Sequence, residues 1–379
     1  MFNEIAAIFK AQFGYSPECF SHAPGRVNII GDHTDYNDGF VLPAAINFGT
    51  NIAIGKRRDR KIRVFAYDCS QMLIEFSLDT IEFNAKFTWV NYVAGSLKML
   101  MRAGYLFSGA DIAVSGNVPQ GAGLSSSASF EIALLRAMAS LYQLELSGID
   151  AAKLGQQAEN EFVGCNCGIM DQLISALGQC NQAMLLDCRS LDYQLASLPE
   201  GYSLFIVDSK VKRGLVESAY NDRRAECELV AKHFSVTALR DLTLAQLESE
   251  KANLSAVAYK RARHVITEND RTLAAFTALE NKDMTQLATL MRQSHNSLQT
   301  DFETSTPEMN YLVKTINAFL GEQGGARMTG GGFGGCVVAL VPIHLVEQVK
   351  NLVISEYTHV FGYSPEVHTC NAVNGAFSA

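Results

Sequence analysis

NVPQGAGLSSSASF, residues 117–130, is the stretch on which the architecture turns. A strand-like run, Ala110 to Ser115, enters it, and a helical pattern from Ser126 to about Tyr142 leaves it. Glycines at 121 and 123 let the backbone turn sharply between the two. Backbone N–H groups at a helix start are unpaired and lie at the positive end of the helix dipole, so such a turn binds phosphate. Hydroxyls of Ser125, Ser126 and Ser127 add donors, and one of them could ligate a cation held by phosphates. A serine-capped helix after a tight turn fits the same residues equally well. The segment has no GxxxxGK[ST] and no lysine, so it is not a Walker A loop.

Outward from this loop, the chain alternates between the two periodicities. Phe2, Ile5, Phe9 and Phe13 predict an opening amphipathic helix, and Trp89 to Met101 a second one. Asn51 to Ile54 and Lys61 to Ala66, joined by the charged stretch Lys56 to Arg60, read as a β-hairpin. Ala151 to Phe162 reads as a helix, Ala183 to Leu186 and Leu204 to Val207 as strands. Residues 217 to 290 read mainly as helices with breaks near Phe234 and Asn253. CVVALV after the loop GGARMTGGGFGG is a strand, followed by a helix from His344 to about Tyr357 and a last strand. Mixed strands and helices throughout give an α+β, or mixed α/β, class with two lobes, 1–195 and 196–379.

Composition sets outer limits. The 379 residues carry 31 Lys+Arg and 39 Asp+Glu, a formal charge of −8, which makes nucleic acid and anionic membranes poor partners. Hydrophobic residues make up 48%, enough for a sizeable core. No apolar run approaches the roughly 20 residues of a bilayer span, and MFNEIAAIFKAQFGY lacks the pattern of an export signal. The expectation is a cytoplasmic protein; the sequence leaves its oligomeric state open, with a monomer favoured over an oligomer. Nine scattered cysteines form no disulfide framework, and the close pair Cys165 and Cys167 has no second pair or nearby histidine to complete a zinc site.

Two further segments carry chemistry. MTGGGFGGC, residues 328–336, satisfies GxGxxG formally, but it precedes a strand, the reverse of a dinucleotide fingerprint. Its glycines mean that backbone passes close to something, ligand or protein. APGRVNIIGDHTDYNDGF, residues 23–40, packs Arg26, Asp32, His33, Asp35 and Asp38 into a loop beside the apolar run Val41 to Ile46. Such groups are expensive to bury unless satisfied, and a sugar would satisfy them. A solvated Asx-rich turn is the bland alternative.

Taken together, PQGAGLSSSAS, CNCGIMDQLIS (165–175), RMTGGGFGG (327–335) and above all APGRVNIIGDHTDYNDGFVLP resemble the GHMP small-molecule kinases, and within them the bacterial galactokinases. The resemblance implies a two-lobed fold with the site between the lobes. It also implies transfer of the γ-phosphate of ATP to the C1 hydroxyl of α-D-galactose with Mg²⁺, the entry step of galactose catabolism. By this resemblance Asp171 is the proposed base beside that hydroxyl and Arg26 stabilises transition-state charge. A guanidinium favours the charged carboxylate, however, so orientation of the hydroxyl stands as an alternative to full proton removal. Gly121, Ala122, Gly123, Leu124, Ser125, Ser126 and Ser127 would hold the ATP phosphates; Ser127 and Glu159 would hold Mg²⁺. Asp32, His33, Thr34, Asp35, Gly168 and Tyr220 would contact the sugar. Asp32 departs from the family, which commonly has glutamate there, so Asp32→Glu is expected to be tolerated. Some relatives bind both ligands as transcriptional sensors without turnover. Those have lost part of the phosphate loop, which is intact here; a galactose-like epimer as substrate is the other alternative.

Overall fold

The computed structural model describes residues 2–69, 71–119, 122–211 and 216–378. In chain order the elements are α1 (Asn3–Phe13), β1 (Cys19–Asn28), β2 (Phe40–Val41), β3 (Pro43–Lys56), β4 (Lys61–Ala66), β5 (Met72–Ser77), α2 (Val90–Arg102), β6 (Ala110–Gly116) and α3 (Ser126–Tyr142). They continue as α4 (Gly148–Gln157), a π-helical turn (Ala158–Val163), α5 (Met170–Leu177), β7 (Gln182–Asp187), β8 (Tyr193–Ser197) and β9 (Tyr202–Asp208). The remainder is α6 (Val216–His233), α7 (Leu244–Ser249), α8 (Ala256–Glu280), α9 (Met284–Ser297), α10 (Pro307–Leu320), β10 (Gly325–Met328), β11 (Cys336–Pro342), α11 (Val346–Phe361) and β12 (Glu366–Cys370).

Three sheets result: a five-stranded one in the order β1-β3-β6-β4-β5, a four-stranded one, β10-β11-β9-β12, and a small β2-β7-β8 sheet. The expected hairpin of β3 and β4 does not form. β6 lies between them, antiparallel to β3 and parallel to β4. A parallel neighbour needs a crossover, and α2 lies on the stretch of chain that makes it. Asp111 of β6 explains the insertion: buried, it accepts from Arg63 Nε and Nη2 at 2.6 and 2.7 Å and from Arg57 Nη1 at 3.1 Å. Arg57 of the charged connection thus divides its guanidinium between its neighbour Asp59 and this distant carboxylate, which Arg63 of β4 shares.

Helices α2, α3 and α4 cover the five-stranded sheet through Leu97, Ile132, Leu135 and Leu154 against Ile52, Ile54 and Ile112. A second core joins Phe205, Val207 and Val337 to residues from α8, α10 and α11, among them Val265, Ile316 and Val353. A third cluster, including Ile29, Ile30, Leu42, Ile206, Leu340 and Met291, welds β1 and the loop after it to the four-stranded sheet. The expected boundary at residue 195 falls inside β8. Residues 372–377 return to the first half, where Val373 N donates to Ala45 O (3.1 Å), Gly375 N to Gly178 O (2.7 Å) and Phe377 N to Ala176 O (2.8 Å). Among the described residues no helix is long and apolar enough to cross a membrane.

Candidate active site

Six segments distant in sequence meet at one cavity of about 420 Å³, lined by Arg26, Asp32, His33, Asp35, Ser125, Ser127, Glu159, Gly168, Asp171, Tyr220, Gly330 and Gly331 among others. The register of β1 with β3 slips between Pro24 and Arg26. A side chain at Gly25 would sit 2.5 Å from Leu124 O, so only glycine lets the strand and the 117–130 loop come this close. Arg26 N then donates to that same carbonyl at 3.1 Å, fixing strand to loop.

Arg26 turns its guanidinium fork onto Asp171, in the first turn of α5: Nε donates to Oδ1 and Nη2 to Oδ2, both at 2.7 Å. Nη1 donates to Gly123 O at 2.6 Å. The Ser125 hydroxyl also donates to Asp171 Oδ2. Planar bidentate pairing of this kind fixes geometry as well as charge. Ser125 adopts φ 60°, a costly backbone for a residue with a Cβ, and its side chain does not cap α3. Ser125 therefore does not act as the cap of α3. The serine faces Asp171, and the N–H groups opening α3 are left without a side-chain cap.

The opposite wall is the loop after β1. His33 is also left-handed, at φ 66°. Its ring packs on Tyr36, Tyr220 and Phe302, and burial holds it well below its ordinary pKa, so it is neutral. The Asp35 carboxyl is pushed up to about 7, first by burial and then by the charge of Asp171. Gly168 makes room for it: a Cβ there would lie 2.1 Å from Asp35 Oδ2. Thr34 is placed differently from the sugar-contact expectation. It does not line the cavity, and its hydroxyl is shared between Gly31 O (2.8 Å) and Phe40 O (2.7 Å), where it closes the loop. Gly121 lies outside the described residues; Gly123 and Leu124 form the floor against Arg26, whereas Ala122 is buried in the third apolar cluster and does not line the cavity.

Asp32 reaches the cavity but is engaged from behind. Its Oδ1 accepts from Asn28 Nδ2 at 2.9 Å and Gly330 N at 3.4 Å, and Oδ2 stands 2.7 Å from Arg327 Nη2. Burial pushes its carboxyl up against the pull of Arg327.

Glu159 occupies the π-helical turn that follows α4, where Gly164 N and Cys165 N both donate to Glu159 O, at 2.8 and 3.0 Å. The wide turn faces Glu159 inward and leaves exposed Glu161 to pair with Arg102. Burial raises the Glu159 carboxyl; the Cys167 thiol (2.9 Å to Oε2) and the Ser127 hydroxyl partly offset this. A buried carboxylate beside a serine hydroxyl suits a hard cation. No trio of His, Cys, Asp or Glu among the described residues could hold a metal, so an ion here would complete its shell from phosphates and water.

A second cavity of about 250 Å³ shares Tyr92, Ser126 and Ser127 with the first and runs on past Trp89, Phe130, Val114 and Val118. Trp89 Nε1 finds no acceptor among the described residues. Sequence reasoning had noted the Trp89 helix but no ligand role for it, because nothing in its local pattern separates a cavity wall from core. Cys165, Cys167, Gly330 and Gly331 were visible in motifs but not as lining. Arg327 was quoted within its motif without a partner.

Comparison with known proteins agrees with this geometry. The GHMP kinase N-terminal and C-terminal domains match residues 91–179 and 275–357, and the galactokinase galactose-binding signature matches residues 7–56. The crystal structure of Lactococcus lactis galactokinase complexed with galactose superposes with a TM-score of 0.94 at 34% identity, covering 99% of this chain and 98% of that one. The mevalonate kinase of Methanococcus jannaschii (18% identity, TM-score 0.66, covering 94% and 98%) shares the fold. So does Streptococcus pneumoniae phosphomevalonate kinase (13%, 0.65, 93% and 99%). A galactose signature on the Asp32–Asp35 wall, GHMP domains on both halves and near-complete superposition place this chain in the galactokinase family of the GHMP kinases.

Proposed function

We propose that the chain is a galactokinase that transfers the γ-phosphoryl group of ATP to the C1 hydroxyl of α-D-galactose, giving galactose 1-phosphate and ADP. The observation that carries this is the Arg26–Asp171 fork standing between the uncapped start of α3 and the His33–Asp35 wall, in one cavity. The N–H groups of α3 and the hydroxyls of Ser126 and Ser127 receive phosphates. The adjoining pocket of Trp89, Val114 and Phe130 takes the flat base. Mg²⁺, held by Ser127 and Glu159 with the phosphates, supplies charge neutralisation when bound. Asp32, His33, Asp35, Gly168 and Tyr220 surround the sugar, and Asp35 ionises to accept from its hydroxyls.

Arg26 is poised to stabilise charge on the transferring group. With both Asp171 oxygens engaged by Arg26 and one by Ser125, the carboxylate orients the C1 hydroxyl and takes its proton only late, once the O–P bond is forming. This favours orientation over early general-base catalysis. The test is ADP release with ATP and magnesium over a panel of hexoses. Release with galactose and not with glucose or mannose is expected. Galactose binding without ADP release would replace the enzyme by a sensor, and preference for another epimer would change the substrate.

A further inference from the structure

Behind the sugar wall lies a buried chain of charge that the transfer step does not use. Arg327, in β10, has no exposed surface. Its Nη1 donates to Asn28 O (3.2 Å) and Ile29 O (3.4 Å), its Nε to Ser294 Oγ (3.1 Å), and its Nη2 stands 2.7 Å from Asp32 Oδ2 and 3.8 Å from Glu268 Oε1. Glu268, in α8 and equally buried, accepts from Gly31 N (3.0 Å) and Ser294 Oγ (2.5 Å) on Oε1 and from Arg271 Nε (2.7 Å) on Oε2. Burial alone would push the Glu268 carboxyl up; Arg271, with His264 and Arg327, overrides it to about 2. His264 Nε2 meets Asp32 O at 3.1 Å, and Thr329 bonds both backbone groups of Asn28. Arg327, Glu268, His264 and Thr329, all from the second half of the chain, grip residues 28–32, and Ser294 and Arg271 brace Arg327 and Glu268 from behind.

Leaving a guanidinium uncompensated in the interior is costly, so such an arrangement persists where it holds something in place. Asp32 is the end of the chain that opens into the cavity. The approach of Nη2 to Oδ2 is not aligned as a hydrogen bond, and among the described residues the buried Oδ2 has no aligned donor. The pairing therefore fixes the back of the carboxylate by charge, while Asn28 and Gly330 hold Oδ1, so the side chain has one orientation along the cavity wall. We infer that Arg327, backed by Glu268, is a positioning residue for the sugar: it holds the Asp32 carboxyl in place on the cavity wall, so that it governs galactose affinity and not ATP affinity. The inference rests on the reading of Asp32 as a sugar contact.

Steady-state kinetics on the full chain separate the two. Asp32→Ala should raise the galactose KM at least tenfold. Arg327→Met should do the same while the ATP KM stays within twofold, and Arg327→Lys should recover most of the loss. In the Asp32→Ala background, Arg327→Met should add nothing further to the galactose KM. An Asp32→Ala protein with an unchanged galactose KM would sink the sugar-contact reading and this inference together. A raised KM in Asp32→Ala but not in Arg327→Met, or equal factors in both backgrounds, would overturn this inference alone. If Arg327→Met does not fold, the neutral Arg327→Gln and the isosteric Glu268→Gln carry the test. A raised galactose KM with unchanged ATP KM in either supports it, and parental values in both overturn it.

Discussion

Asp171 has three protein donors on its two oxygens before any substrate arrives. Asp171→Asn keeps the shape but not the charge, so galactose should still bind while kcat falls by about a hundredfold or more; calorimetric titration of galactose and ADP release measure the two. Near-normal turnover would remove Asp171 from the chemistry. Asp35 gives a pH signature. Its folded pKa of about 7 lies above the unfolded value. The empty fold therefore favours the neutral form, and Asp35 costs stability progressively as pH rises from about 4 to its folded value near 7. Asp35→Asn should be the more stable protein above pH 7, with the gap in melting temperature closing towards pH 4. Since the ionised form accepts from sugar hydroxyls, kcat/KM for galactose should fall on the acid side with a midpoint near 7. In Asp35→Asn that limb should vanish along with most of the affinity. These residues were legible in the sequence because each sits in a compact motif. Arg327 as the partner of Asp32 was not, since nothing local marks a pairing between the two ends of the chain.

Elements place these groups by close approach. Gly168 precedes α5 and leaves the space that Asp35 fills; Gly168→Ala should raise the galactose KM at least tenfold, read against an unchanged ATP KM. Ser127, in the first turn of α3, pairs with Glu159 across the cavity. Ser127→Ala should shift the magnesium titration of activity to higher concentration, and an unchanged titration would exclude it as a ligand. Helical periodicity identifies α1, α2 and α3, since an amphipathic face is a local property, whereas 217–290 reads as mainly helical without the break between α8 and α9. Partnership between strands is not, and so β3 and β4 looked like a hairpin until β6 came between them. The inward turn of Glu159 likewise depends on a π-helical step that no spacing announces; the 151–162 pattern reads as one uniform helix.

At the scale of the molecule, the two halves are joined by the third apolar cluster and by the grip on residues 28–32. They are joined again where the segment after β12 crosses back. Ala376 N donates to Ser175 O at 3.0 Å and Phe377 N to Ala176 O, so this segment holds the carboxyl end of α5. Ending the chain after Cys370 should lower the melting temperature by several degrees, about 2–4 °C for each kcal/mol lost, and reduce kcat more than it changes either KM. A truncated protein of full kcat would show that α5 needs no such support. The order of synthesis gives this tie a further meaning. Asp171 leaves the ribosome with its helix already specified, yet the segment that fastens that helix is translated some two hundred codons later. A nascent chain can therefore assemble its first sheet early, while the helix that carries Asp171 stays unfastened until residues 375–377 have emerged.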